Sequence, residues 1–204
     1  TASDEEGDAL TFAATTLPSW LTFSAPATIS GTPLNGHVGS NTVVLTVTDG
    51  IISTPIEQSF TITVVNVNDA PVFTSTAPTT ASEDVAYSYT MAASDEEGDA
   101  LTFAATTLPS WLTFSAPATI SGTPDQDDIG THSVVLTVSD AHVTVNQSLT
   151  ITVVNTNDAP IFTSSASTIS ATENVAYSYT ATATDEEGDA LTFAATTLPS
   201  WLTF

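Results

Sequence analysis

The 204-residue chain has no lysine and no arginine. Against its 23 aspartates and glutamates stand only three histidines, and the formal net charge is −23. Without a cation to sit against a phosphate and release counterions, nucleic acid is excluded as a partner. An anionic membrane surface is disfavoured for the same reason. Cysteine is absent too, so neither disulfides nor thiolate metal sites contribute, which is compatible with secretion in a chain that folds without staples. No apolar run approaches the length of a membrane span, so no membrane insertion is expected in this segment. The chain starts at Thr1 in mid-repeat and reads as a window from something longer.

Catalytic signatures are also missing. There is no nucleophile elbow and no metal-protease helix motif. His37, His132 and His142 fall at non-equivalent places in their repeats, so no repeated active site can use them. Paired carboxylates could in principle do glycosidase chemistry, but that needs two differently tuned acids across a cleft, and here they are adjacent in one loop. An enzyme is not expected.

What the chain does have is one stretch three times over. Asp-Glu-Glu-Gly-Asp occupies Asp4 to Asp8, Asp95 to Asp99 and Asp185 to Asp189, and holds twelve of the 23 acids. Two carboxylates about 6 Å apart repel by roughly 0.7 kcal/mol in water and about 3 kcal/mol at an effective dielectric near 20. Solvent, protons or a metal ion must meet that charge, and clustering favours a metal. The alternative is that the acids decorate solvated turns, where Asp and Asn make their own hydrogen bonds.

The stretch sits inside a longer period. Residues 2–33 recur unchanged as 93–124, and 185–204 begin the same block again. A junction, Val-Val-Asn-x-Asn-Asp-Ala-Pro-x-Phe, appears at Val64 to Phe73 and Val153 to Phe162. The expected division is the later part of a repeat at 1–69, a complete repeat at 70–158 and the first part of another at 159–204. Within the complete repeat, Val85, Tyr87, Tyr89 and Met91 alternate with small or polar residues, as do Val134, Leu136 and Val138, and Leu149, Ile151 and Val153. Period two marks half-buried strands. Turn signals fall at Gly98, at Leu108-Pro109-Ser110, at Gly122-Thr123-Pro124 and at Asp140. The fold class is therefore all-β, an antiparallel two-sheet sandwich of about seven strands, with sandwiches joined end to end through short proline-containing junctions. Trp111, with counterparts Trp20 and Trp201, is expected in the core. An exposed sugar-stacking platform is the other reading.

A hard cation such as calcium takes six to eight oxygens from carboxylates, Asn side chains and carbonyls. Candidate ligands in the junctions are Asn66, Asn68 and Asp69, and Asn155, Asn157 and Asp158. The loops add Asp95, Glu97 and Asp99, then Asp185, Glu187 and Asp189, and Asp140 at a strand end. Glu83 and Glu173, just after the first strand of their repeats, are further candidates.

These residues resemble a family. The Asn-x-Asn-Asp-Ala-Pro-x-Phe junction is similar to the calcium-binding linker of cadherins. The run from Leu108-Pro109-Ser110-Trp111-Leu112 through Ile120 to Pro124 and on to Leu136-Thr137-Val138-Ser139-Asp140 resembles the bacterial cadherin-like, dystroglycan-type, immunoglobulin-like repeat. The resemblance implies tandem sandwich modules of large secreted or cell-surface adhesins, with calcium at domain boundaries. Asn68 and Asp69, like Asn157 and Asp158, then match the linker. Asp95 with Glu97, and Asp185 with Glu187, stand where the following domain gives paired acids, and Asp140 resembles that domain's last ligand. Asp125, Asp127 and Asp128 stand where the preceding domain contributes acids. The first repeat has Leu34, Asn35, Gly36 and His37 there, so the junction at Asp158 is expected to bind calcium more tightly than the one at Asp69.

The function expected is that of an extender or stalk, projecting another domain from a cell surface and made rigid by calcium, with neighbouring repeats as its partners. The alternative is a module that itself binds polysaccharide or pairs with like repeats on another chain. Exposed tyrosine or tryptophan rows would favour that alternative.

Overall fold

In the computed structural model, residues 1–51, 53–165 and 169–204 are described. The chain separates into two compact units. The first comprises Thr1–Pro71, Ser94–Leu101 and Asp140–Val143, and the second comprises Val72–Ala93, Thr102–Ser139 and Thr144–Phe204.

In the first unit, β1 (Thr11–Thr16), β2 (Leu21–Ser24), β3 (Thr28–Gly31), β4 (Gly39–Thr48) and β5 (Ile56–Val64) follow in order, with a short 3-10 turn at Asn35–His37. β4 lies between β1 and β5 in one antiparallel sheet, and β2 and β3 form a hairpin. Val43 and Leu21 are buried, whereas Phe60 and Ile56 stay exposed.

The second unit holds the rest: β6 (Val72–Phe73), β7 (Thr80–Ser82), β8 (Tyr87–Thr90), β9 (Ala93–Ser94, whose Ser94 falls in the first unit), β10 (Thr102–Thr107), β11 (Thr113–Ser115), β12 (Thr119–Gly122), β13 (Gly130–Ser139) and β14 (Thr144–Val154). β15 (Ile161–Phe162) and β16 (Ala183–Thr184) then pair with each other. One sheet runs β10-β13-β14-β7 and the other β11-β12-β8. These seven strands make the expected two-sheet sandwich. One ladder departs from an all-antiparallel reading: β7 runs parallel to β14, Thr152 opposite Thr80 and Val154 opposite Ser82. The chain enters this edge through Pro78 and leaves it at once through the Ser82–Val85 turn, so it never reverses as a hairpin would.

Period-two burial sets the core. Tyr87 and Tyr89 from β8 and Ile120 from β12 meet Val134, Leu136, Ile151 and Val153 of the facing sheet, with Trp111 and Leu112 among them. Each fully buried aliphatic side chain stabilises the fold by about 2 kcal/mol. Tyr87 and Trp111 meet edge to face, with ring centroids 5.8 Å apart, and burial pushes the Tyr87 phenol up, helped by the neighbouring Tyr89. Trp111 is thus a core residue in the complete repeat. Its counterparts differ: Trp20 is only half-buried and Trp201 is 61% exposed, because residues 159–204 contain no counterparts of β12, β13 and β14 to cover it. Val85 also departs from the alternation and is exposed. It lies in a turn closed by its own N–H on the Ser82 carbonyl, after Asp84 at φ 56°, so the strand begins only at Tyr87.

Gly122 is where backbones approach most closely. A Cβ built there would stand 1.7 Å from the Trp111 carbonyl oxygen, and Gly31 repeats the arrangement against Trp20 at 1.8 Å. A side chain must therefore push β12 away from the segment carrying the core tryptophan. Gly122→Ala is expected to lower stability by about 3 kcal/mol, the upper part of the overpacking range. Urea denaturation would measure it, and a change under about 0.5 kcal/mol would mean that the backbone relaxes freely.

Candidate metal centre

The acidic stretch folds the same way in all three copies. The first aspartate's Oδ1 accepts the N–H of the last: Asp4 from Asp8 at 2.9 Å, Asp95 from Asp99 at 3.0 Å and Asp185 from Asp189 at 3.0 Å. The chain closes this turn through glycine at φ +83°, +79° and +77° for Gly7, Gly98 and Gly188, a conformation that glycine adopts without a Cβ penalty. The motif is thus a backbone turn first, with the remaining oxygens left over for other work.

In the first unit those oxygens converge. Asp95, Glu97 and Asp99 each place an oxygen within 4.8 Å of the others. Asp95 Oδ1 also accepts from the Glu97 N–H at 3.1 Å, and Glu97 Oε2 accepts from the Asp69 N–H at 3.2 Å. Their second oxygens, Asp95 Oδ2 and Glu97 Oε1, are buried and meet no donor among the described residues. Asn68 Nδ2 donates to the Asp69 carbonyl and to Asp140 Oδ2, at 2.7 and 2.9 Å.

The second unit brings acids together from three segments. Glu83, which follows β7, joins Asp158 of the junction and Glu187 of the third acidic stretch within 4.8 Å. Glu83 is only 1% exposed. Its Oε2 accepts the Thr156 N–H at 3.0 Å, and Glu187 Oε1 accepts the Asp158 N–H at 2.9 Å. Glu83 Oε1, Asp158 Oδ2 and Glu187 Oε2 are buried without a donor among the described residues. Buried anionic oxygens are costly unless hydrogen-bonded or metal-bound. Desolvation raises the pKa of Asp158, with Asp84, Glu187 and Asp185 adding to it, and Glu186 is raised in the same way, with Asp158 its largest charged neighbour. A hard divalent cation fits such an oxygen-only donor set.

Other candidates fall elsewhere. Asp125, Asp127 and Asp128 are in neither cluster. They shape a 3-10 turn at Gln126–Asp128, in which Asp125 Oδ1 accepts the Asp127 N–H at 3.1 Å and Asp128 Oδ2 accepts the Asp125 N–H at 3.2 Å. The acid that the preceding repeat brings to Asp158 is Glu83 instead. Asp140 is buried and committed to N–H donors: Oδ1 accepts from His142 and Val143 at 2.7 and 2.6 Å, and Oδ2 from Asn68. Glu173, Asn66, Asn155, Asn157 and Asp189 are exposed, although Asn157 Nδ2 does hold the Asp158 carbonyl at 2.8 Å. Asp84 and Glu186 escaped the sequence reading. Asp84 in the left-handed region, matched by Asn174 at φ 61°, is the signal that could have found the first of them, because Asp and Asn favour that conformation.

The Val143 N–H, then Asn68 and the His142 N–H, hold Asp140 at a pKa of about 2 against the desolvation that opposes them. A depressed carboxylate contributes stability that is fully present above its unfolded pKa near 3.9 and is lost as pH falls through the folded value. Asp140→Asn keeps an acceptor and removes the titration. The stability difference between wild type and Asp140→Asn is therefore expected to shrink as pH falls from about 4 towards 2, read by thermal melts without added metal. A constant difference would show that Asp140 is not the group titrating.

Three successive segments, residues 1–65, 70–154 and 159–204, match the family model described as "Putative Ig domain". The serine-rich adhesin for platelets of Staphylococcus aureus strain MRSA252 is 37% identical over 147 residues, which is 69% of this chain and 10% of that protein. The same adhesin of strain MW2 is matched over 6% of its length, so the chain spans a tenth or less of these relatives. Among solved structures, an endo-fucoidan hydrolase of glycoside hydrolase family 107 is 33% identical, covering 74% of this chain and 24% of its own, at a TM-score of 0.39. Human protocadherin-24 EC1-2 is 18% identical, covering 76% of this chain and 86% of its own, at 0.45.

Proposed function

The chain belongs to this immunoglobulin-like domain family over three successive repeats, and on that premise we propose that it is an extender segment of a cell-surface or secreted adhesin, without catalysis of its own, stiffened by calcium at its repeat junctions. The repeats are taken as 1–69, 70–158 and 159–204. The observation that carries this reading is the three-segment origin of the Glu83, Asp158 and Glu187 cluster, with one donorless buried oxygen on each residue. A cation held there ties the end of a strand, the junction and the next acidic turn to one point. Asn155 and Asn157 stand beside it in sequence and can add oxygens. The Asp95, Glu97 and Asp99 cluster draws its three carboxylates from a single loop, so an ion there closes less chain and is bound more weakly.

Burial of Tyr87, Tyr89 and Trp111 takes the best sugar-stacking candidates of the complete repeat out of reach, which weighs against polysaccharide binding. Similarity to an adhesin for platelets supports an extracellular location, and among the described residues no helix is long and apolar enough to cross a membrane.

Calcium titration of the whole chain by calorimetry tests the reading. Two classes of site are expected, with dissociation constants of about 10⁻⁴ to 10⁻³ M. Glu83→Gln should remove the tighter class, Glu97→Gln the weaker, and Glu173→Gln neither. Tenfold excess calcium should stabilise by about 1.4 kcal/mol per site. Heat signals untouched by Glu83→Gln, or no binding at all, would overturn the assignment.

A further inference from the structure

The 3-10 turns at Asn35–His37 and Gln126–Asp128 are closed by different chemistry. Two carboxylates hold the second of them, Asp125 Oδ1 on the Asp127 N–H and Asp128 Oδ2 on the Asp125 N–H. Ahead of the first stands Leu34, whose side chain accepts nothing, so a single side-chain bond holds its front: His37 Nδ1 accepts the Leu34 N–H at 2.8 Å. That bond needs a neutral ring with its proton on Nε2, because an imidazolium carries a proton on both nitrogens and accepts on neither. The same tautomer points Nε2–H at Ser19 Oγ, 3.3 Å away, which removes this serine and histidine from consideration as nucleophile and base.

The turn presents Asn35 to the second acidic stretch. Asn35 Nδ2 donates to the Glu96 carbonyl at 2.8 Å, and Glu96 stands between Asp95 and Glu97, two members of the cluster in the first unit. The rear of the turn is held in another way: Asn41 Nδ2 donates to the His37 and Gly39 carbonyls at 2.8 and 3.0 Å, and Asn41 Oδ1 accepts from Trp20 Nε1 at 3.2 Å. Of these side-chain bonds, only the one at the front depends on the state of the ring.

We propose that His37 is a proton-sensitive latch. In its neutral form it closes the turn that holds Asn35 against Glu96, and when the ring takes a second proton the turn opens at Leu34 and the contact is released. The same release frees the stretch that carries Asp95 and Glu97. A carboxyl group still has an acceptor oxygen when it is protonated, so the turn held by Asp125 and Asp128 does not share this response. The His37 ring itself meets Ser19 and, at 6.3 Å between centroids, Trp20, neither of which is charged. Trp20 offers a displaced imidazolium an aromatic face. Two carboxylates, Asp69 and Glu96, border Leu34 and Asn35 from the junction side, and a variant separates their titration from that of the ring.

Nuclear magnetic resonance of the isotope-labelled 204-residue chain in chelator tests the proposal, and its outcome does not depend on whether calcium binds. Leu34, Asn35 and His37 lie outside the block repeated as 93–124, so their signals are not duplicated. At about pH 7.5, above the ordinary imidazole value, the His37 ring is expected as the Nε2–H tautomer. At about pH 5.5, on the other side of that value, the Leu34 N–H is expected to have lost about tenfold in protection against hydrogen exchange, the scale of one hydrogen bond. The Asn35 side-chain amide signals should move with the same midpoint as the ring. His37→Asp installs the acid that stands at Asp128 and should abolish both changes. A ring with its proton on Nδ1 at neutral pH, a Leu34 or Asn35 signal indifferent to the ring's protonation, or a response that survives in His37→Asp would overturn it.

Discussion

A chain with 23 carboxylates and no lysine or arginine has no cationic side chain of that kind to pair with its acids, and backbone N–H groups take that place in several of its loops. Asp4, Asp95 and Asp185 close their turns on an N–H four residues ahead. Asp140 takes two consecutive N–H groups across a hairpin, and Asp125 and Asp128 close a 3-10 turn. A carboxylate has four lone-pair sites, however, and an N–H fills one. In loops exposed to water the remainder is solvated. Where loops pack together it is not, and leftover oxygens end up buried in two separate clusters, those of Asp95 and Glu97 in one unit and those of Glu83, Asp158 and Glu187 in the other.

Strands were legible from the sequence because their burial follows period two, and Tyr87, Tyr89, Met91, Val134, Leu136 and Val138 all lie where alternation puts them. The parallel edge of β7 was not, since three residues carry too little pattern to reveal which neighbour they choose. Val85 misled because alternation continues through a turn in which backbone geometry, set by Asp84, overrides hydrophobicity. Trp201 shows the limit of arguing from repeats: its local sequence equals that of Trp111, but burial is supplied by β12, β13 and β14, which residues 159–204 do not contain.

The site was legible in its parts more than in its assembly. The turns, the junction asparagines and Glu83 are all visible as residue types at suitable places. That Glu83 rather than Asp125, Asp127 or Asp128 meets Asp158 depends on β7 running parallel to the end of β14, which sets Glu83 beside Thr156. The same unread topology therefore hid both the strand pairing and the approach of Glu83 to Asp158.

The variation between copies separates the two uses of a carboxylate. Where Asp128 Oδ2 accepts the Asp125 N–H, His37 Nδ1 accepts the Leu34 N–H at 2.8 Å in the first repeat. This requires the neutral His37 tautomer with its proton on Nε2, which then faces Ser19 Oγ at 3.3 Å. A neutral ring replaces an anion because the position needs only an acceptor for one N–H, and charge is incidental there. Asp95 and Glu97 are different: they recur unchanged as Asp185 and Glu187, and three of these four keep a buried oxygen with no donor. An uncharged acceptor would close those turns equally well. What it would not supply is the negative charge that Asp95 and Glu97 bring to one cluster and Glu187 to the other.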